Sequence, residues 1–170
     1  QDAASCAAGF LLSTNGTDTI PALSYLEQYY NADVTKEFIA TSVPASEHSL
    51  ASTGIAVVGE LETYRKWVTK DYPTGIVSII ADTLDFFRVV TEFATELKYD
   101  ILNRQPNALG LAKVVFRPDS GCPVKILCGD PDAKVGTPQY KGAVECLWDV
   151  FGGTTNELGF KHLHEREIGR

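Results

Sequence analysis

The 170-residue chain contains no methionine. A translated protein begins with one, so the sequence reads as a processed or truncated piece. It has no run of about 18 apolar residues, which excludes a transmembrane helix. Its start, QDAASCAAGF, lacks the charged segment that opens a secretory signal. A basic excess is missing too: the net charge is -7, with acidic and basic residues interspersed. That argues against nucleic-acid binding through a basic surface, and leaves room for a local basic pocket that takes a phosphorylated small molecule. The four cysteines, Cys6, Cys122, Cys128 and Cys146, form no CxxC pair. They read as free or buried thiols of a cytoplasmic protein, not as disulfides or zinc ligands. His162 and His164 form an HxH pair with no ligand cluster beside it, and read as surface residues. Asn15-Gly16-Thr17 matches a glycosylation acceptor; without a secretory signal it reads as a turn. There is no internal repeat and no low-complexity segment.

What is present suits one domain with a real core: 44% of residues are hydrophobic and 22% charged. Short strand-like runs alternate with longer helical ones. Helical character covers residues 3–12, 20–30, 56–70, 83–104 and 141–151. Asp18 or Thr19 is the expected cap of the second helix, with Pro21 in its first turn. Tyr72-Pro73 ends the third. In the fourth, Phe86, Val90, Phe93, Leu97 and Ile101 make one apolar stripe. Gly152-Gly153 stops the last. Strands are expected at Leu11–Asn15, Phe38–Ser42, Ile76–Ala81 and Val114–Phe116. Strands separated by helices predict an α/β fold with a parallel sheet and helices on its flanks. Four strands are only about half of an eight-stranded barrel, and residues 1–170 read as a single domain.

Polar residues follow each expected strand: Gly16-Thr17-Asp18, Ser42 to His48, Asp82, and Arg117-Pro118-Asp119-Ser120-Gly121. Parallel α/β folds carry their chemistry at that end. His48, in the small-residue stretch SVPASEHS, is open to four readings: general base, nucleophile, metal ligand or structural histidine. Asp82 can hold the ring's second nitrogen, as in a triad, or cap the long helix that Thr83 would open. Arg117 offers a fork for phosphate or carboxylate, and Asp119 a carboxylate for ribose hydroxyls or magnesium. A structural turn with an ion pair is the rival reading of that motif. Asp18 either caps a helix or, facing a site, accepts from an amide and repels a carboxylate.

Five stretches carry a resemblance: NGTDTIPAL (15–23), SVPASEHS (42–49), GELETYRKW (59–67), PTGIVSIIADTLDF (73–86) and VVFRPDSGCP (114–123). Together, and in order, they resemble the type II phosphoribosyltransferases, and within them those that act on nicotinamide. The likeness runs over essentially the whole chain. It implies part of that family's βα-barrel, and transfer of phosphoribosyl from phosphoribosyl pyrophosphate to nicotinamide, giving nicotinamide mononucleotide and pyrophosphate in NAD salvage. It implies that His48 is the catalytic histidine, phosphorylated by ATP, and that Asp82 is its carboxylate partner. Asp18 then binds the amide of the base, and Ser78 lines the tunnel for it. Arg117 and Asp119 face base, ribose and magnesium pyrophosphate, and Ser42, Val43 and Ala45 form the wall beside the histidine.

The family is far longer than this chain. The aromatic-x-x-Arg-Gly segment that stacks the base and the glycine-rich loops that hold the phosphate are not among these residues. The family's sites form across a homodimer, and an open half barrel would expose sheet edges that invite association. Three functions remain open: a nicotinamide-specific transferase, a relative that uses nicotinate, which Asp18 disfavours, and a non-catalytic fragment or binding module that lacks the phosphate loops.

Overall fold

The computed structural model describes residues 2–17 and 19–163. Two compact units divide the chain, residues 1–43 and 44–170.

In the first unit, α1 (Asp2–Leu11) and α2 (Pro21–Tyr30) share a small core of Ala8, Leu11, Ala22 and Leu26. Both helices lie where the sequence predicts them, and Pro21 sits in the first turn of α2. Ile20 stands at the N-cap without a side-chain bond, so Thr19 does not cap α2; Asp18 lies outside the described residues. The two expected strands shrink to a single parallel bridge between Gly16 and Thr41. The cause is local. Leu11 ends α1 facing the core, and the Thr14 amide and hydroxyl both donate back to Phe10 O, at 3.0 and 2.8 Å. Residues 12–14 therefore turn instead of extending.

In the second unit, β1 (Gly75–Ile80) and β2 (Ala112–Arg117) pair in parallel, in register from Gly75 opposite Ala112 to Ile80 opposite Arg117. On the other edge of β1, Ala45 makes a parallel bridge to Ser78. The Ser78 amide donates to Pro44 O at 2.8 Å, and the Ser46 amide donates to Ser78 O at 3.0 Å. Parallel strands with helices between them bear out the α/β reading. Side chains alternate across a strand. One face, with Val77, Ile79, Val114 and Phe116, meets the helical core of Tyr64, Val68, Val90, Phe93 and Leu97. The opposite face carries Ser78, Ile80, Val115 and Arg117.

The third helix starts earlier than its periodicity suggests. It opens at His48 as α3 (His48–Val58), breaks at Gly59, whose φ is +86°, and resumes as α4 (Glu60–Lys66) and a π turn over Trp67–Asp71. The long helix starts later. Asp85, not Asp82, caps it, accepting from the amides of Phe87 and Arg88 at 3.0 and 3.2 Å. It runs as α5 (Phe86–Arg88), a π turn (Val89–Phe93), α6 (Ala94–Glu96) and α7 (Lys98–Leu102). Its apolar stripe is buried at Phe86, Val90, Phe93 and Leu97, and partly at Ile101.

Two buried polar groups set the position of β1. The Arg104 guanidinium donates to Val68 O, Thr74 O and Gly75 O, tying the π turn to the start of the strand. The Tyr64 hydroxyl donates to Ile80 O at 3.1 Å at its far end.

Beyond β2 come α8 (Pro123–Cys128), α9 (Pro138–Lys141) and α10 (Ala143–Phe151), then an antiparallel hairpin of β3 (Gly153–Thr155) and β4 (Lys161–Leu163). Gly129 and Gly142 cross at the corner of α8 and α10. Both have positive φ, and a Cβ on Gly142 would meet Gly129 N at 2.3 Å. The cysteines are free thiols, as expected.

Candidate active site

The ends of β1 and β2 and the start of α3 bring three predicted residues together. His48 is the first residue of α3, not a loop residue, because Glu47 is the last extended position. Its imidazole has polar neighbours at both nitrogens. Nδ1 lies 3.0 Å from the Thr83 hydroxyl. Nε2 lies 3.7 Å from Asp82 Oδ1 and 3.6 Å from Asp119 Oδ2. Its side chain is 44% exposed, so the ring remains open on one side.

Asp82 follows β1, and Asp119 follows β2. The parallel register places their loops side by side: the Ala81 amide donates to Arg117 O at 3.0 Å. Asp82 Oδ2 then accepts three hydrogen bonds from the second loop. The Asp119 amide donates at 2.9 Å, the Ser120 amide at 2.8 Å and the Ser120 hydroxyl at 2.7 Å. Burial pushes the Asp82 carboxyl up, but these three donors outweigh it and hold the group below its ordinary value of 3.8. Asp82 Oδ1 is buried without a hydrogen-bond partner and faces the imidazole. The cap reading of Asp82 is thereby replaced: its side chain binds the neighbouring loop and faces His48.

Arg117 is the last residue of β2. Its guanidinium donates to Ser46 O at 2.7 Å and lies 3.5 Å from Glu47 Oε1. The arginine thus anchors the segment that delivers His48. Ser46, whose Oγ accepts from the Ile80 amide at 2.8 Å, fastens the same segment to β1. Ser78 is buried on the sheet face that also carries Arg117, and lines a small cavity with Ala45, Leu50, Trp67 and Tyr72. Ser42 and Val43 belong to the first unit; Ser42 is exposed and Val43 half-buried. Asp18 and His164 are outside the described residues, as is the His162 side chain.

Sequence reasoning missed Ser46, Thr83 and Ser120. Each is a small hydroxyl inside a quoted motif, but its partner is fixed only when two chain segments meet. Among the described residues, no three His, Cys, Asp or Glu side chains group as a metal site. No helix there is long and apolar enough to cross a membrane. A larger groove of about 820 Å³ lies away from His48, between the long helix and α10, and holds none of the predicted residues.

Chemically, the arrangement is an exposed imidazole beside two carboxylates. It can stabilise positive charge on the ring or on a substrate docked against it.

Known proteins are similar to this chain in sequence. The family model for the nicotinate phosphoribosyltransferase (NAPRTase) family matches residues 4–165. A nicotinamide phosphoribosyltransferase of Acinetobacter baylyi is 58% identical over 97% of the chain, which covers 32% of that protein. One of Xanthomonas campestris pv. campestris is 32% identical over 95% of the chain and 30% of that protein. A third, of Mycoplasma pneumoniae, is 29% identical over 85% of the chain and 31% of that protein. The chain spans about a third of the length of these relatives.

Proposed function

Because the chain belongs to the nicotinate phosphoribosyltransferase family, we propose that it carries the histidine site of an enzyme that makes nicotinamide mononucleotide. Phosphoribosyl passes from phosphoribosyl pyrophosphate to the pyridine nitrogen of nicotinamide, and pyrophosphate leaves. One observation carries the reading: His48 stands at the strand ends between Thr83 and the carboxylates of Asp82 and Asp119.

The chemistry needs little acid–base help, since the pyridine nitrogen is already a nucleophile. Positive charge grows on the ribose as the bond to pyrophosphate breaks, and the carboxylates of Asp82 and Asp119 suit that charge. Arg117 suits the anionic leaving group, at the cost of sharing its guanidinium with Ser46 and Glu47. In this reading a ring nitrogen of His48 displaces ADP from the γ-phosphorus of ATP, and the phosphohistidine is hydrolysed during turnover. A phosphoryl group there would gain from Thr83 as a hydrogen-bond partner. Magnesium fits Asp119, whose half-exposed carboxylate is of the kind that binds this ion together with substrate phosphates and water. Bound there, the ion would neutralise charge on the pyrophosphate.

Asp18 supports nicotinamide over nicotinate, because a carboxylate accepts from an amide and repels a carboxylate. The family resemblance assigns Ser42, Val43, Ala45 and Ser78 to the wall and tunnel of the base. It also suggests that β1 and β2 are staves of a βα-barrel, and that the enzyme is a cytoplasmic homodimer. The free cysteines agree with a reducing compartment.

The test is a mass-spectrometric assay on the protein in its full natural length, given phosphoribosyl pyrophosphate, magnesium, ATP and either base. Nicotinamide mononucleotide, lost in His48→Ala, is expected. Faster product formation from nicotinate would overturn the choice of base, and no product from either base would overturn the reaction.

A further inference from the structure

We propose that Ser46 is a positioning residue: its hydroxyl takes the place of a strand carbonyl beside β1 and so sets His48 against Asp82. What this does for turnover rests on the reading of His48 as the phosphoryl acceptor; the placement of the two side chains does not.

In a parallel ladder, alternate residues of a strand turn their N–H and C=O to the same neighbour. On the outer edge of β1 those residues are Ser78 and Ile80. Ser78 is paired by backbone: its amide donates to Pro44 O at 2.8 Å, and its carbonyl accepts from the Ser46 amide at 3.0 Å. Continued by one step, the ladder would give the Ile80 amide to Ser46 O, and the His48 amide to Ile80 O. The chain departs from that course. Ser46 O accepts from Arg117 at 2.7 Å instead, and His48 opens α3. Two side chains stand in. The Ser46 hydroxyl oxygen accepts from the Ile80 amide at 2.8 Å, and the Tyr64 hydroxyl donates to Ile80 O at 3.1 Å.

The exchange lets the chain leave the sheet without stranding a buried amide. Ser46 and Ile80 are both buried, and an amide left there without an acceptor costs more than a typical made bond returns. The same bond fixes geometry. Ser46 lies two residues before His48, and Ile80 two before Asp82. The hydroxyl therefore ties the two segments together where they part, with one residue, Glu47 or Ala81, between the tie and each member of the pair. Glu47 is extended, and the pair meets with Asp82 Oδ1 3.7 Å from His48 Nε2. Alanine at position 46 would keep the backbone bonds of that residue but offer the Ile80 amide no acceptor, and the turn into α3 would lose its side-chain tie to β1. Threonine keeps the hydroxyl.

The experiment uses the full-length protein with Ser46→Ala and Ser46→Thr. Phosphate transfer from radiolabelled ATP to His48 is timed well below each melting temperature, with Asp85→Ala as a variant destabilised elsewhere. In Ser46→Ala the maximal rate should fall about tenfold, the loss expected for one hydrogen bond, while the ATP concentration at half-maximal rate stays native. Ser46→Thr should stay near the native rate. Ser46→Gly, which leaves room for water at the Ile80 amide, serves if the alanine variant folds poorly. Crystal structures of the native protein and the slow variant should show His48 withdrawn from Asp82 in the variant. A native maximal rate in folded Ser46→Ala, an equal loss in Asp85→Ala, or a Ser46→Thr as slow as Ser46→Ala overturns the proposal. A native protein that takes no phosphate on His48 overturns the reaction reading; the crystal structures then decide the role of Ser46, and an unmoved His48 overturns it.

Discussion

Replacing Ser120 with alanine removes one of the three donors to Asp82 Oδ2, the hydroxyl at 2.7 Å, and leaves the two amides in place. The Asp82 side chain is only 8% exposed, so water replaces the lost donor poorly. A hydrogen bond to a charged group contributes about 1.5–3 kcal/mol. Losing that donor should raise the Asp82 carboxyl and cost about 1.5 kcal/mol at neutral pH, the lower end of that range. The native carboxyl is held below 3.8. A depressed carboxyl stabilises the fold above its unfolded value and loses that contribution as pH falls through its folded value. Ser120→Ala should therefore be less stable at neutral pH and begin acid unfolding at a higher pH. The assay is a ¹³C titration of the aspartate carboxyls, with Asp82→Asn to assign the signal, alongside thermal melts from pH 3 to 7. An unchanged Asp82 titration would show that the amides alone hold it, and would refute the three-donor account.

Arg104→Leu strips a charged donor from three carbonyls, two of them fully inside the core. It should cost about 4 kcal/mol, read by denaturant unfolding; a loss under about 1 kcal/mol would deny Arg104 its role in holding β1. Asp85→Ala should cost about 1 kcal/mol in the same assay, because it removes the cap of the long helix. Its histidine phosphorylation should stay native, whereas that of Asp82→Ala should not. Gly142→Ala should fail to accumulate as folded protein, since its Cβ would meet backbone at 2.3 Å where no side chain can yield. Normal expression and a native melting temperature would refute the close crossing of α8 and α10.

Legibility followed the range of the interaction. The stripe from Phe86 to Leu97 and the apolar run of β1 showed in the sequence because burial repeats at the period of each element. Pro21 marked its helix start for the same local reason. Thr137-Pro138 and Cys122-Pro123 carry a similar signal for α9 and α8, each with proline in the first turn, and were not read. The strands at 11–15 and 38–42 were misjudged because apolar residues with β-propensity do not reveal that Thr14 bonds back to α1. In the site, motif likeness singled out His48, Asp82, Arg117 and Asp119. It gave no sign that Arg117 grips Ser46, or that Asp82 is fastened to Ser120. Those bonds join residues 37 to 71 positions apart, and only the parallel pairing of β1 and β2 brings them together.

The most direct test of the account is whether ATP places a phosphate on His48. Full-length protein would be incubated with ATP and magnesium, digested at neutral pH, and mapped by tandem mass spectrometry. The account predicts an acid-labile phosphate on the peptide containing SVPASEHS, at His48, absent from His48→Ala and consumed when nicotinamide and phosphoribosyl pyrophosphate are added. Phosphate on another residue, or nicotinamide mononucleotide formed at the native rate by His48→Ala, would contradict it.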